Sequence, residues 1–213
     1  MSNKLRLISY TAGGIEHCSN KEMKNWRDDV AERLASPELI IYDPVKMEAE
    51  KVGKPSGEQV EYIKGLKQSG NWKRFYEEMH KIWMSNIAPN SEMLEVFKRI
   101  RIDKYINGVY EEDLKKMGDY QAVLVSDFIV VYMPKDIKTI GTIFEIVIAF
   151  LFNIPIYLIL PDSSKTEANS SLLYGVMLSK GESFYSVNDC CKFIREKYGL
   201  TEIPKVEEEK KKE

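Results

Sequence analysis

The sequence predicts an α/β fold: a three-layer sandwich with a roughly five-stranded parallel sheet and a helical insertion after the second strand. Three observations predict it. Short apolar runs rich in β-branched and aromatic residues recur at 4–10, 38–42, 128–133 and 154–160, and such runs read as buried strands. Helix-like segments separate them, which implies parallel strands joined by right-handed crossovers. Between the second and third runs lies a long stretch, 45–107, with no strand signal of comparable strength.

Residues 4–10 (KLRLISY) are the first predicted strand. Residues 11–14 (TAGG) follow as a tight turn of small residues, where a ligand can approach the backbone. The turn is not a GxGxxG fingerprint, and the chain has no GxxxxGK(S/T) phosphate loop. Ser19 is the expected N-cap of a helix over 21–34, with Trp26, Val30 and Leu34 on one stripe. The second strand, 38–42 (ELIIY), is closed by Asp43 and Pro44. Within 45–107, glycines and prolines punctuate two or three expected helices, at about 58–67, 72–86 and 91–105. This insertion either packs on the sheet edge or a second subunit, or forms a lid over the active site. Its basic and aromatic residues give little support for a nucleic-acid platform.

A helix over 111–125, with acids in its first turn, leads into the third strand, 128–133. Residues 142–152 are apolar almost without a gap. At about 100° per residue they are apolar on every face, which predicts a helix buried all round. A fourth strand at 154–160, a short helix at 172–179 and a short last strand at 183–186 follow. Asn188 is the expected N-cap of a final helix that ends at Tyr198, with Gly199 as C-cap. The arrangement is flavodoxin-like and forms one domain over 1–205, with its insertion at 45–107. The charge run 206–213 has nothing apolar to bury, so disorder is expected there.

Composition narrows the function. The 213 residues are 44% hydrophobic and 30% charged, enough for a full core. A net charge of −2 gives no global attraction to nucleic acid or to an anionic membrane. The run from 143 to 160 is interrupted by Asn153 and Pro155, so no membrane span is expected. Lys4 and Arg6 lead straight into a strand rather than a secretory leader. Cys18, Cys190 and Cys191 form no disulfide framework, which fits a reducing cytoplasm. With two histidines and no ligand spacing among the cysteines, neither a metal site nor a cofactor is expected.

Glu145 is the main candidate for chemistry. It sits inside the apolar helix, where an ionised carboxylate is costly unless it is paired or faces a cleft. It also lies just inside the helix start, where the dipole favours its charge. Open α/β sheets place their ligands at such helix starts. The bland alternative is a structural glutamate tied to a buried arginine or backbone amide. Asp127, at the start of the third strand, reads as a structural hydrogen-bond acceptor, and nothing local marks Asp119.

Several motifs follow one another in order: YTAGGI (10–15), Trp26-Arg27, YDP (42–44), the Asp119 and Asp127 pair, VVYMP, TxGTxxE (139–145) and NIPIYLIL. Together they resemble the nucleoside 2-deoxyribosyltransferase family and its sister group of 2'-deoxynucleoside 5'-monophosphate N-glycosidases. The resemblance covers roughly two thirds of the chain and skips most of 45–107. It implies cleavage of the base–sugar bond, by hydrolysis or by transfer to another base. It implies Glu145 as nucleophile, Asp119 as the acid–base partner and Tyr10 beside the nucleophile. It also implies that Gly13 and Gly14 line the base or sugar pocket. Where the transferases often carry an aspartate and the nucleotide hydrolases a serine, this chain has Thr139. A hydroxyl there, with Gly141 and Thr142 at a helix N-terminus, suits a 5'-phosphate. Lys135 or Lys138 would add charge.

The expected mechanism is the retaining logic of glycosidases, with a carboxylate meeting an oxocarbenium-like C1'. A non-catalytic nucleotide-binding module on the same fold would need no Asp119–Glu145 pair; a third alternative is a flavodoxin-like protein of unrelated function, in which a yellow colour on purification would point to flavin. The apolar helix also predicts a homodimer or higher homo-oligomer.

Overall fold

A computed structural model describes residues 6–15, 18–55, 57–89, 91–135, 140–161 and 169–203. The chain runs β1 (Leu7–Gly13), α1 (Asn20–Arg33), β2 (Leu39–Tyr42), α2 (Pro44–Val52), α3 (Glu58–Gln68), α4 (Trp72–Trp83), α5 (Met93–Asn107), α6 (Glu111–Leu114) and α7 (Asp119–Val125). It continues with β3 (Phe128–Tyr132), α8 (Ile140–Leu151), β4 (Ile156–Ile159), α9 (Ser170–Leu178), β5 (Glu182–Phe184) and α10 (Val187–Tyr198).

The strands pair in parallel in the order β2-β1-β3-β4-β5, the flavodoxin-like order. Alternation along each strand sorts the side chains to two faces. Ile8, Tyr10, Ala12, Ile129, Val131, Ile156 and Leu158 face a core built with α7, α8 and α9. Phe128, Val130, Tyr157 and Ile159 face Trp26, Val30 and Leu34 of α1 and Cys190, Cys191 and Ile194 of α10. The sheet is buried on both faces, which is why its strands read as continuous apolar runs.

The first strand is longer than expected. Thr11, Ala12 and Gly13 are not a turn but continue β1, pairing with Val130, Val131 and Tyr132 of β3. The helix α2 has no counterpart in the sequence reading, which took Asp43-Pro44 only as a strand stop. Asp43 Oδ1 accepts from the Val45 backbone N–H at 3.0 Å, Pro44 opens the helix, and Gly53 closes it at φ +68°.

The helix expected at 111–125 is two helices. A Cβ on Gly118 would stand 2.5 Å from the Trp83 carbonyl oxygen, so the chain turns there against the end of α4. The final helix starts earlier than expected, with Ser186 rather than Asn188 as N-cap.

The largest correction concerns α8, which is not buried all round. Ile140, Ile143, Phe144, Val147, Phe150 and Leu151 leave an apolar stripe in solvent, with Ile140 72% and Leu151 61% exposed. Tyr174, Met177 and Leu178 of the adjacent α9 extend it. No helix among the described residues is long and apolar enough to cross a membrane. The expected disordered run at 206–213 lies outside the described residues.

Candidate functional site

A cavity of about 500 Å³ opens where β1 ends. Gly13, Gly14 and Ile15 form its floor, and the start of α8 contributes Ile140, Gly141, Thr142, Phe144 and Glu145. The insertion supplies the opposite wall: Glu48 from α2, Gln59, Val60 and Ile63 from α3, and Met79, Ile82 and Trp83 from α4. Tyr120 of α7 completes it, packed on Trp83 with ring centroids 4.7 Å apart. The insertion therefore walls the cavity. Most of the lining is apolar or aromatic with a few polar groups, the usual make-up of a small-molecule site.

Glu145 is placed by two elements. The α8 start brings it to the wall, and Tyr10 of β1 donates a 2.5 Å hydrogen bond to Oε1. Oε2 is buried and has no partner among the described residues. Burial pushes the Glu145 carboxyl up to about 8; the Tyr10 hydrogen bond and the Arg27 charge oppose this, and the Asp119 charge adds to it. Burial also raises the Tyr10 phenol well above its ordinary value, so it remains a neutral donor.

Asp119 opens α7 and is buried behind the wall rather than on it. Its Oδ1 lies 3.6 Å from Lys51 Nζ and 3.4 Å from the Tyr42 hydroxyl. Lys51 donates to the Tyr42 hydroxyl at 2.8 Å, and that hydroxyl donates to the Met117 carbonyl at 2.9 Å. Burial raises Asp119 to about 6, and Lys51, a hydrogen bond from the Glu48 carboxyl and Tyr42 hold it down. Burial, then the charges of Asp119 and Glu145, drive Glu48 well above the usual carboxylate range. A neutral Glu48 beside an Asp119 anion is the arrangement these forces favour.

Tyr10 and Tyr42 face each other across the β1–β2 ladder and stack at 5.4 Å. Glu145 and Asp119 are thereby bound to neighbouring rungs of one sheet. Arg27 adds a buried cation below the floor, donating to the Gly13 and Met23 carbonyls at 3.0 and 2.6 Å and lying 3.7 Å from Asp43.

The structure thus brings together Glu145, Tyr10, Gly13, Gly14, Gly141 and Thr142, with Asp119 one layer back. Gly13 has a packing reason as well, because a Cβ there would stand 2.6 Å from Trp26 Cζ2. Thr139 and Lys138 lie outside the described residues, and Lys135 is exposed and off the wall. Asp127 is structural as expected, accepting from the Ile8 backbone at 2.8 Å and from Lys104 at 2.6 Å. Glu48, Lys51 and Tyr42 were missed. The signal for the first two was the helix start at Asp43-Pro44, because positions 48 and 51 then fall on one helix face.

Chemically, the site offers a carboxylate oxygen with no partner among the described residues, a neutral phenol that orients it and, at and behind the wall, a carboxyl pair that holds a proton. Among the described residues no group of three His, Cys, Asp or Glu side chains is arranged to hold a metal ion. No protein-family model and no curated protein matches the chain.

Proposed function

We propose that the protein cleaves the N-glycosidic bond of 2'-deoxynucleosides or their 5'-monophosphates, with Glu145 as nucleophile. One observation carries this reading: Glu145 Oε2 is buried, without a partner among the described residues, and set in the wall of a cavity of about 500 Å³. A buried carboxylate oxygen without a donor is costly, and its cost is offset when it meets a developing cation. An oxocarbenium-like C1' is such a cation.

In this mechanism Tyr10 holds Oε1 and leaves Oε2 to bond to C1'. Asp119 belongs to the acid–base machinery behind the wall, with Lys51 stabilising its anion. Trp83 and Tyr120 offer aromatic faces to the base. The N-terminus of α8, with Gly141 and Thr142, faces the 5' side. Water as acceptor gives hydrolysis, and a second base gives transfer.

The reading extends to a cytoplasmic enzyme that forms a homodimer through the apolar stripe of α8 and α9. The stripe recurs at 140, 143, 147, 150 and 151, and these positions carry no charge.

Chromatographic detection of free base tests the activity. Wild type is incubated with each deoxynucleoside and each 5'-monophosphate, with and without a second base. Release that disappears in Glu145→Ala supports the reading, and a new nucleoside in the second-base samples makes the enzyme a transferase. No release from any substrate by folded wild type rejects it. That result would favour a non-catalytic nucleotide-binding module, for which a Glu145 held largely protonated at neutral pH is no handicap.

A further inference from the structure

We propose that Glu48 is the acid that protonates the departing base, and that Asp119 acts through it. The inference rests on the glycosidase reading and deepens it. Glu48 stands on the cavity wall and is 8% exposed, whereas Asp119 is 1% exposed and has no place in the lining. A base seated in the cavity meets Glu48 first. The carboxyl of Glu48 hydrogen-bonds to Asp119. One turn further along α2, Lys51 reaches Asp119 Oδ1 at 3.6 Å. Asp119 is thus a positioning residue that keeps a proton on Glu48, and Lys51 keeps Asp119 ionised.

The step balances. Glu145 Oε2 bonds to C1' as the C1'–N electron pair moves to the base nitrogen, and the Glu48 proton passes to the base. Glu48 is left as a carboxylate. Water then adds its oxygen to C1', the C1'–Oε2 electron pair returns to Glu145, and the surplus proton of the water goes to Glu48. The sum is nucleoside plus water giving free base plus deoxyribose, with both carboxyls restored. Burial and the Asp119 charge supply the resting proton on Glu48.

The test compares leaving groups. Glu48→Gln keeps the shape of the side chain and removes the acidic proton. Its kcat/KM is measured on the 5'-monophosphates of deoxyguanosine and deoxyuridine, and on their 7-methyl and 5-fluoro derivatives. The 7-methyl base departs neutral without taking a proton, and the fluorinated base departs more readily as an anion. On whichever pair wild type cleaves, Glu48→Gln is expected to lose about 100-fold or more on the natural base and less than about 5-fold on the derivative. Equal losses on both members overturn the assignment. So does a selective loss in Asp119→Asn with Glu48→Gln close to wild type. If Glu48→Gln does not fold, Glu48→Asp carries the same comparison, with a smaller but still leaving-group-selective loss. Absence of release by wild type from all four compounds overturns the glycosidase reading and this assignment with it, whereas an active wild type with unselective losses overturns this assignment alone.

Discussion

At the scale of single residues, the burial of Glu145 links activity and stability to pH in opposite senses. In the proposed mechanism Glu145 must be ionised to attack, so kcat/KM is expected to rise with pH through about 8, the value to which burial lifts this carboxyl. Tyr10 hydrogen-bonds the anion and holds that value down. Tyr10→Phe should therefore move the rising limb to higher pH and cost about 10- to 100-fold at neutral pH. A pH–rate profile whose limb stays in place would refute that role for Tyr10. Stability runs the other way. The folded value, about 8, lies above the ordinary 4.5, so between those pH values the folded chain holds more protons than the unfolded chain. This contribution is fully present below about pH 4.5 and is lost as pH rises through 8. Glu145→Gln removes it. The variant should match wild type near pH 4.5 and exceed it by a few kcal/mol near pH 9, as read from denaturant midpoints. Identical curves at both pH values would mean that Glu145 is not desolvated. The nearness of Tyr10 to the carboxyl was implied by the family resemblance. Its cost was legible from one acid in an apolar helix. Glu48 was not legible, because a carboxylate four residues beyond a proline carries no mark until the helix that turns it inward is known.

At the scale of elements, two glycines make different demands on the chain. Gly118 separates α6 from α7, and a Cβ there would meet the Trp83 carbonyl carbon and oxygen and the Met84 nitrogen within 2.7 Å. Backbone atoms at the end of a helix do not move aside cheaply, so Gly118→Ala should cost about 2–4 kcal/mol. Gly53 closes α2 in the left-handed region with nothing within 4 Å of its absent Cβ. Gly53→Ala should cost only about 1 kcal/mol. Urea midpoints on both variants check the ranking, and a Gly118→Ala midpoint near that of wild type would show that α4 and α7 can part. The sheet and the helices that flank it were legible because apolar runs and caps are local signals. The break at Gly118 and the extension of β1 to Gly13 were not. The first depends on the approach of α4 from 35 residues earlier in the chain (118 − 83 = 35). The second depends on the β3 ladder drawing TAG into register. For α8, the sequence showed an apolar element but not which neighbours would cover each side.

At the scale of the molecule, the uncovered side of α8 and α9 bears on assembly. An isologous contact across this stripe would bury side chains such as Leu151 and Met177, the latter 73% exposed in the single chain. Wild type is expected to elute as a dimer by size-exclusion chromatography with light scattering. Leu151→Lys combined with Met177→Lys should shift it to monomer with little change in the thermal midpoint of the single chain. A monomeric wild type at micromolar concentration would refute the dimer. Phe144 and Ile140 belong both to this stripe and to the cavity lining, so the proposed contact and the cavity share one edge. The stacked Tyr10–Tyr42 rung has a consequence of its own. Each ring hydroxyl lies within 3.4 Å of a different carboxylate, so the spacing between Glu145 and Asp119 is read off a ruler whose smallest division is one residue of strand register. A slip of a single division would turn one tyrosine to the opposite face of the sheet and leave its carboxylate stranded. The ruler cannot be stretched by degrees. The two chemical groups are either in gauge or out of it, and evolution can change the pocket walls freely only while the first two strands keep their count.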